Sequence, residues 1–256
     1  MHKLDLQNLL DIAKEASLLS GARILEIYGS DNFDVELKGD NSPLTIADKE
    51  AHDIICSFLE PTNIPILSEE GSKISYDERR DWDYFWLVDP LDGTKEFIKR
   101  NGEFTVNIAL IKGDQPIMGV VYAPVLNWLY WGIKGESAFK EDKSGVRTIH
   151  TAATDLGAKN LKVVASRSHL NEETEKFLSS LDDPEIVSMG SSLKFLLVAE
   201  NKANVYPRYA PTMEWDTGAA HAIVLAAGGK MYKEPGREPF VYNKENLLNP
   251  HFLVVG

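Results

Sequence analysis

Apolar residues recur at helical spacing in the first part of the chain. Between residues 4 and 28, leucine, alanine and isoleucine fall three or four positions apart, and Gly29 follows them as a stop signal. Asn41-Ser42-Pro43 opens a second segment, for which we predict a helix from Thr45 to Leu59 that ends before Pro61. The chain is therefore expected to begin with two helices.

Short apolar runs bounded by turn residues then predict a series of strands. The predicted strands are Ile64–Leu67, Tyr84–Val88, Phe104–Ile111 and Ile117–Tyr122. The last two are expected to pair across a turn at Gly113-Asp114, and β structure continues through Trp131. The strand that ends at Val88 runs directly into Asp89-Pro90, so its end is expected to carry an acidic residue.

The second half of the chain alternates between strands and helices. Asn171 is predicted to cap a charged helix, and Gly228-Gly229 to stop the final one. The predicted elements are strands at Leu161–Ala165, Ile186-Val187 and Ala203–Tyr206, and helices at Glu172–Leu181, Ser192–Glu200 and Trp215–Ala227. The change of pattern predicts an α/β layer packed beside an α+β layer, with an N-terminal domain at 1–155 and a C-terminal domain at 156–256.

Composition and charge exclude several classes of function. The 256 residues include 39 acidic and 27 basic ones, for a net charge of −12, which argues against binding a nucleic-acid polymer or an anionic membrane by bulk charge. The same balance argues at first sight against an anionic substrate. Cys56 is the only cysteine, which excludes an intrachain disulfide and a cysteine-rich zinc site. No signal peptide or membrane-spanning run is recognised, so we expect a cytoplasmic protein.

The strongest chemical signal is the segment Asp89-Pro90-Leu91-Asp92-Gly93-Thr94. Two carboxylates three residues apart follow an apolar strand, at the end of a sheet where ligands tend to bind. Carboxylates this close repel each other unless a cation lies between them, and oxygen ligands favour Mg²⁺ or Mn²⁺ over zinc. The backbone N–H groups at Gly93 and Thr94 are then expected to face an anion at a helix start.

Further acidic residues fit the same site with weaker local signals. Glu69-Glu70 follows a predicted strand, Asp216 opens an apolar helix, and Asp48 lies in an early helical turn. Taken alone, each has a structural explanation: a solvated turn, a carboxylate favoured by the helix dipole, and an acid in a first turn. Their assignment to a metal site therefore depends on the segment from Asp89 to Thr94.

In their order and spacing, these motifs resemble the inositol monophosphatase-like family of Mg²⁺-dependent, lithium-sensitive phosphomonoesterases. The segments Trp86–Ile111, Ser166-Arg167-Ser168-His169 and Gly190–Phe195 are similar to its bacterial CysQ type, which hydrolyses 3′(2′),5′-bisphosphate nucleotides. The resemblance covers nearly the whole chain. It implies a layered αβαβα sandwich of the kind shared by inositol monophosphatase and fructose-1,6-bisphosphatase.

The resemblance also implies a site for two to three Mg²⁺ ions. Glu69, Asp89 and the backbone carbonyl of Leu91 resemble the ligands of the first ion. Asp89, Asp92 and Asp216 resemble those of the second, while Glu69 with waters would hold a weaker third ion. Paired metals of this kind activate a water and neutralise both the entering and the leaving oxygen of an in-line displacement.

Two further residues have implied roles in catalysis. Thr94 resembles the threonine whose hydroxyl, paired with Asp48, orients the attacking water. Gly93, Thr94 and Asp216 are expected to contact the substrate as well. No covalent phosphoenzyme is required, which agrees with the lack of a recognised nucleophile motif in the sequence.

Substrate choice is expected to rest on the second half of the chain. By resemblance, His169, Ser191, Lys194 and Arg208 contact the nucleotide and its second phosphate. Lys194 and Arg208 suit a phosphate that is bound but not cut, because charge-assisted donors stabilise a desolvated phosphate. The structural alternatives remain open: Lys194 on the exposed face of a helix, and Arg208 stacked on aromatic rings.

The expected reaction is hydrolysis of adenosine 3′(2′),5′-bisphosphate to AMP and phosphate, which clears a by-product of sulfur assimilation. The alternatives are the same chemistry on inositol phosphate or fructose 1,6-bisphosphate, and a non-catalytic protein that binds Mg²⁺ or nucleotide. The expected partner is a small bisphosphate nucleotide and not a nucleic acid. The resemblance allows peripheral association with the inner face of the membrane, and a monomer and a homodimer remain equally open.

Overall fold

Helices and strands alternate in layers in the structure, a computed structural model that describes residues 4–30, 35–37, 43–71, 73–165 and 170–256. The helices are α1 (Leu6–Tyr28), α2 (Ile46–Leu59), α3 (Tyr76–Arg79), α4 (Thr94–Ile98), α5 (Glu172–Ser179), α6 (Leu193–Ala199) and α7 (Trp215–Ala226). The strands are β1 (Val35–Leu37), β2 (Pro43–Thr45), β3 (Ile66–Ser68), β4 (Tyr84–Asp92), β5 (Thr105–Lys112), β6 (Gln115–Ala123), β7 (Trp128–Ile133), β8 (Ala138–Asp142), β9 (Gly145–Ile149), β10 (Lys162–Val164), β11 (Glu185–Val187), β12 (Val205–Arg208), β13 (Lys230–Lys233) and β14 (Phe252–Val255).

The strands from β3 to β9 form one sheet in chain order. β3 runs parallel to β4, and each later strand is antiparallel to the one before it. The prediction that β4 ends at Val88 is wrong: the strand continues to Asp92. A shift of register between Asp89 and Asp92 lets Pro90 interrupt the pairing with β5 without ending it. Both acidic residues therefore belong to the strand.

A second sheet contains the strands of the second half, in the order β11-β10-β12-β14-β13. β10 is parallel to β11 and β12, whereas β14 is antiparallel to β12 and β13. The sequence analysis predicts neither β13 nor β14. Both lie beyond the last predicted helix, and β14 pairs with a strand more than forty residues earlier, between Val205 and Val255.

The helices pack on these sheets so that five layers result. α1 and α2 pack on each other and on one face of the first sheet, while α6 and α7 lie between the two sheets. α5 covers the far face of the second sheet, where Phe177 and Leu178 pack against Val163 and Val205. This order of layers confirms the predicted αβαβα sandwich. Within the described residues, no helix has the length and apolar character to cross a membrane.

The two sheets divide the chain near the predicted boundary. β9 ends at Ile149 and β10 begins at Lys162. Helix α7 comes from the second half but packs on β5, β6 and β7 of the first sheet, so that both halves share one apolar core. The division into domains at 1–155 and 156–256 remains a prediction.

Glycine at position 119 allows α7 to approach the first sheet closely. A Cβ atom built on Gly119 in β6 would lie 2.1 Å from the backbone oxygen of Ala219 in α7. On the helix side, a Cβ atom on Gly218 would lie 2.8 Å from Leu87 Cδ2. The short distance between α7 and the first sheet therefore depends on glycine at positions 119 and 218. The same helix carries Asp216 in its first turn.

We predict that Gly119→Ala lowers the free energy of unfolding by about 3 kcal/mol, at the upper end of the range for overpacking, because its neighbour is backbone and cannot rotate away. Urea denaturation measures the change. The control is Gly236→Ala, whose Cβ would have no neighbour closer than 3.7 Å and which should stay within about 0.5 kcal/mol of the wild type. Equal stability of the two variants would contradict the close approach.

Candidate metal centre and substrate cleft

The end of β4 positions the central carboxylate of the site. Asp89 is almost completely buried, with 1% of its surface exposed. Its Oδ1 atom accepts a hydrogen bond from the backbone N–H of Leu91 at 3.1 Å. Gly93 follows in the left-handed region, with φ of 98°, and turns the chain into α4. The register shift and this turn together direct Asp89, Asp92 and the Leu91 carbonyl toward one end of the sheet.

Three carboxylates from distant parts of the chain meet there. Oxygen atoms of Glu69, Asp89 and Asp216 all lie within 4.8 Å of one another. Glu69 follows β3, and its backbone N–H donates to the carbonyl of Val88 at 3.1 Å, which places it beside Asp89. Asp216 arrives from the first turn of α7, where its Oδ2 accepts from the backbone N–H of Met213 at 2.9 Å.

Burial and mutual repulsion disfavour the charged forms of these groups. The pKa of Asp89 is raised well above its ordinary value by burial, and further by the charges of Glu69 and Asp92. Burial and the charge of Asp92 raise the pKa of Asp216 to about 8. A divalent cation among these oxygens would reverse both effects, and an all-oxygen donor set is the kind that Mg²⁺ or Mn²⁺ prefers. The residues present therefore fit a divalent metal.

A hydroxyl group and a further carboxylate lie at the edge of this cluster. The Oγ1 atom of Thr94 lies 3.1 Å from Oδ1 of Asp48 and 3.3 Å from the carbonyl oxygen of Leu91. Asp48 is buried in the first turn of α2, which packs on β4. The structure thus brings together the two residues with implied catalytic roles, 46 positions apart in the chain.

Asp92 faces the second half of the chain. Its Oδ2 atom accepts hydrogen bonds from the Oγ of Ser191 at 2.5 Å and the backbone N–H of Ser192 at 2.6 Å. Burial raises the pKa of Asp92, while the hydrogen bond from Ser191 and the charge of Lys194 oppose that shift. The carboxylate is therefore held on one side by the turn before α6.

Two cations line the cleft beyond Asp92. Lys194 donates from Nζ to the carbonyl of Ser191 at 3.1 Å, and burial lowers its pKa. Arg208 donates from Nη2 to the carbonyl of Pro211 at 3.3 Å. Its Nε atom is buried and has no hydrogen-bond partner among the described residues. Both side chains line the cleft, which disfavours an exposed helix face for Lys194.

The cavities around these residues are continuous. A cavity of about 490 Å³ contains Glu69, Asp89 and Thr94, and one of about 230 Å³ contains Lys194 and Arg208. The two share their lining at Asp92, Gly93, Glu96, Thr212 and Asp216. A larger cavity of about 610 Å³, bounded by Thr151 and Gly256, holds none of the predicted site residues. Position and charge, not size, identify the site. His169 lies outside the described residues.

The sequence analysis missed a polar network that holds the start of α7. Glu214 is fully buried, and its carboxylate accepts from the backbone N–H groups of Asn243 at 2.7 Å and Lys244 at 3.0 Å. Asn249 donates to the carbonyl of Met213 at 2.6 Å, and Arg79 donates to the side-chain oxygen of Asn243 at 2.7 Å. These contacts fix Asp216 from outside the cleft. Only the proximity of Glu214 to Trp215-Asp216 is visible in the sequence.

Comparison with known proteins gives consistent matches over nearly the full length. The profile of the inositol monophosphatase family matches residues 5–252. The chain is 46% identical to the 3′(2′),5′-bisphosphate nucleotidase CysQ of Escherichia coli K12, over 96% of this chain and 99% of that protein. Among solved structures, CysQ from Bacteroides thetaiotaomicron, described as a bacterial member of the inositol monophosphatase family, is 48% identical with a TM-score of 0.87 over 99% of both chains. The suhB protein of Bartonella henselae shares the fold at 23% identity, with a TM-score of 0.79 over 97% of this chain and 94% of that one.

We predict that Asp89→Asn abolishes tight Mg²⁺ binding and leaves the protein folded. The affinity of the variant for Mg²⁺ should fall by more than the roughly 10–100-fold caused by losing a residue that only orients a ligand. The protein should stay folded because the neutral amide of asparagine does not bury a charge. Isothermal titration calorimetry and thermal melting measure both effects. Asp183→Asn, at an exposed position, is the control. Wild-type affinity in Asp89→Asn would rule out this residue as a ligand.

We predict that the metal-free protein loses stability as the pH rises from 6 to 8. The pKa of Asp216 is raised to about 8 in the folded state from an ordinary value of 3.8, so the folded state binds more protons than the unfolded state in this interval. Mg²⁺ favours the ionised form and should remove the decline. Melting temperatures at both pH values, in chelator and in Mg²⁺, measure this.

The variant Asp216→Asn tests the origin of that pH dependence. It cannot ionise at this position, so its metal-free melting temperature should depend less on pH than that of the wild type. Two results would contradict the assignment of this pH dependence to Asp216. One is a fall in the melting temperature of Asp216→Asn as large as that of the wild type, and the other is a rise in the stability of the metal-free wild type toward pH 8.

Proposed function

The chain belongs to the inositol monophosphatase family, and we propose that it is a Mg²⁺-dependent phosphomonoesterase that hydrolyses adenosine 3′(2′),5′-bisphosphate to AMP and phosphate. One observation carries the choice of substrate: Lys194 and Arg208 line a cleft continuous with the carboxylate cluster. One site thus offers carboxylates for metals and cations for a second phosphate. The relatives named as bisphosphate nucleotidases support the same choice.

We assign the metal ligands as follows. Glu69, Asp89 and the carbonyl of Leu91 would hold one Mg²⁺, and Asp89, Asp92 and Asp216 a second, with Glu69 contributing to a weaker third. Bound there, the ions supply an activated water and charge neutralisation at the entering and leaving oxygens. Shared use of Asp89 explains why its burial is tolerated, since a carboxylate between two cations is stabilised in its charged form.

The protein's own groups orient the attacking water. Thr94 donates its hydroxyl hydrogen toward Asp48, which lies 3.1 Å away. The lone pairs of Thr94 Oγ1 are then free to accept a hydrogen bond from the water, which fixes the direction of its attack. Asp48 is suited to take up the proton from Thr94 as the water transfers its own. The backbone N–H groups at Gly93 and Thr94 would bind the phosphate being cut.

The uncut phosphate is assigned to the other end of the cleft. The Nζ of Lys194 and the guanidinium group of Arg208, both on side chains that line the cleft, would offer charge-assisted hydrogen bonds. Ser191 and Asp216 would complete the contacts around the nucleotide, and His169 is assigned to it by resemblance alone. Inositol monophosphate has no second phosphate to occupy these cations, so such a substrate would leave them unpaired. The two cations therefore favour a substrate with two phosphates over inositol monophosphate, and the names of the relatives favour a nucleotide over fructose 1,6-bisphosphate.

The proposal includes a cellular role. Removal of adenosine 3′,5′-bisphosphate in the cytoplasm would clear a by-product of sulfur assimilation, with no nucleic-acid polymer as partner. Peripheral contact with the inner face of the membrane is part of the same expectation from the family. The role in sulfur assimilation depends on the substrate preference, which is directly measurable.

Phosphate release from several substrates, with and without Mg²⁺, tests the proposed function. We expect the highest kcat/KM on adenosine 3′,5′-bisphosphate, lower values on inositol monophosphate and fructose 1,6-bisphosphate, and none without the metal. Faster cleavage of either alternative substrate would overturn the choice of substrate. A folded protein with no phosphatase activity would instead indicate a binding protein.

The variant Lys194→Met tests the assignment of the uncut phosphate. Its KM for adenosine 3′,5′-bisphosphate should rise about tenfold or more, because a hydrogen bond to a charged group is lost. Adenosine 3′-monophosphate lacks the second phosphate and is the matched control, with an unchanged KM in the variant. An equal rise in KM for both substrates would place Lys194 at the phosphate being cut.

A further inference from the structure

A cluster of hydroxyl groups, most of them buried, joins the two halves of the chain behind Asp92. We call Thr105, Ser191, Ser192 and the side-chain amide of Asn107 the hydroxyl cluster. Thr105 is fully buried, and its Oγ1 lies 2.6 Å from the Oγ of Ser191 and 2.8 Å from the Oγ of Ser192. Ser192 in turn donates to the side-chain oxygen of Asn107 at 2.7 Å. Thr105 therefore contacts both serines of the turn.

The cluster sits directly beside a proposed metal ligand. Thr105 is the cross-strand partner of Asp92 in the pairing of β5 with β4, at the position where the register shifts. The two serines that Thr105 contacts are the residues that donate to Oδ2 of Asp92, at 2.5 Å from Ser191 Oγ and 2.6 Å from Ser192 N. Asp92 is thus linked to Thr105 through Ser191 and, separately, through Ser192.

The backbone of the Ser191-Ser192 turn adopts an unfavourable conformation. Ser191 has φ of 52°, in the left-handed region that residues with a side chain rarely adopt. The preceding Gly190 leaves no space for a side chain, since a Cβ atom there would lie 2.7 Å from Cβ of Glu103. The turn is therefore held in an unfavourable conformation by its neighbours. Thr105 contacts both of its hydroxyl groups and donates its single hydroxyl hydrogen to one of them.

From this geometry we propose that Thr105 is a positioning residue for the metal site. By holding the Ser191-Ser192 turn, it keeps Oδ2 of Asp92 in two hydrogen bonds, so that Oδ1 would be the oxygen left to bind a divalent cation. Partners that orient a metal ligand raise the affinity for the metal because the ligand does not have to be ordered when the metal binds. The inference rests on the metal assignment in the proposed function and is independent of which ester is cleaved.

The variant Thr105→Val tests the proposal, because valine keeps the shape of threonine and removes the hydroxyl. Binding of Mn²⁺ and of Mg²⁺ to the substrate-free protein, measured by isothermal titration calorimetry well below the melting temperature, should weaken about tenfold or more. Thr105→Ser retains the hydroxyl and should restore the affinity to within about threefold of the wild type.

A matched control separates positioning from general loss of stability. Thr62 also bridges two groups through its hydroxyl, donating to the carbonyl of Leu59 at 2.6 Å and accepting from Nε1 of Trp86 at 3.0 Å. Thr62 follows the C-terminal end of α2, whereas Asp48 lies in the first turn of that helix. Thr62→Val should lower the melting temperature without weakening metal binding.

The test of Thr105 and the test of the proposed function can fail independently of each other. Wild-type metal affinity in Thr105→Val, equal weakening in Thr62→Val, or failure of Thr105→Ser to restore binding would each overturn the role of Thr105. A wild-type protein that binds Mn²⁺ but does not cleave bisphosphate nucleotides would refute the proposed substrate and leave the titration of Thr105→Val fully interpretable. A wild-type protein that binds neither metal would refute both.

Discussion

The constraint on which the rest of the structure depends is the repulsion among carboxylates held together at the end of β4. Oxygen atoms of Glu69, Asp89 and Asp216 lie within 4.8 Å of one another, and Asp89 is nearly inaccessible to water. Burial and like charge both disfavour the ionised forms, as the raised pKa values of Asp89 and Asp216 show. Packing elsewhere must therefore hold these groups against their own electrostatics, in an arrangement that a divalent cation would stabilise.

Three features of the fold hold these carboxylates in place. The close contact of α7 with the first sheet, possible because position 119 carries no side chain, fixes the first turn of the helix beside the end of β4. Around that turn, the fully buried Glu214 accepts hydrogen bonds from the backbone of the 243–244 segment. On the opposite side, Thr105 and the Ser191-Ser192 turn hold Asp92. Asp216 and Asp92 are thus both positioned by residues from other parts of the fold.

The net charge of −12 acquires a specific meaning from this arrangement. As a bulk property it argues against anionic partners, and it still does so for nucleic acids and anionic membranes. In the cleft, however, the acidic residues are concentrated where divalent ions would reverse the local sign, while Lys194 and Arg208 line the neighbouring cavity. The cleft is therefore suited to a substrate with two phosphates, one at the metals and one at the cations.

The sequence by itself determined the features that depend on neighbouring residues. Apolar periodicity located the long helices, and the run from Asp89 to Thr94 indicated the segment that we propose binds metal. The pairing of Thr94 with Asp48, whose oxygen atoms lie 3.1 Å apart, came from the family resemblance and not from local pattern. Only the tertiary structure decided how β4 continues through Pro90 and which residues hold the ligands in place. Thr105 contacts a residue 86 positions away, and such contacts leave no periodic pattern because folding, not chain proximity, brings the partners together.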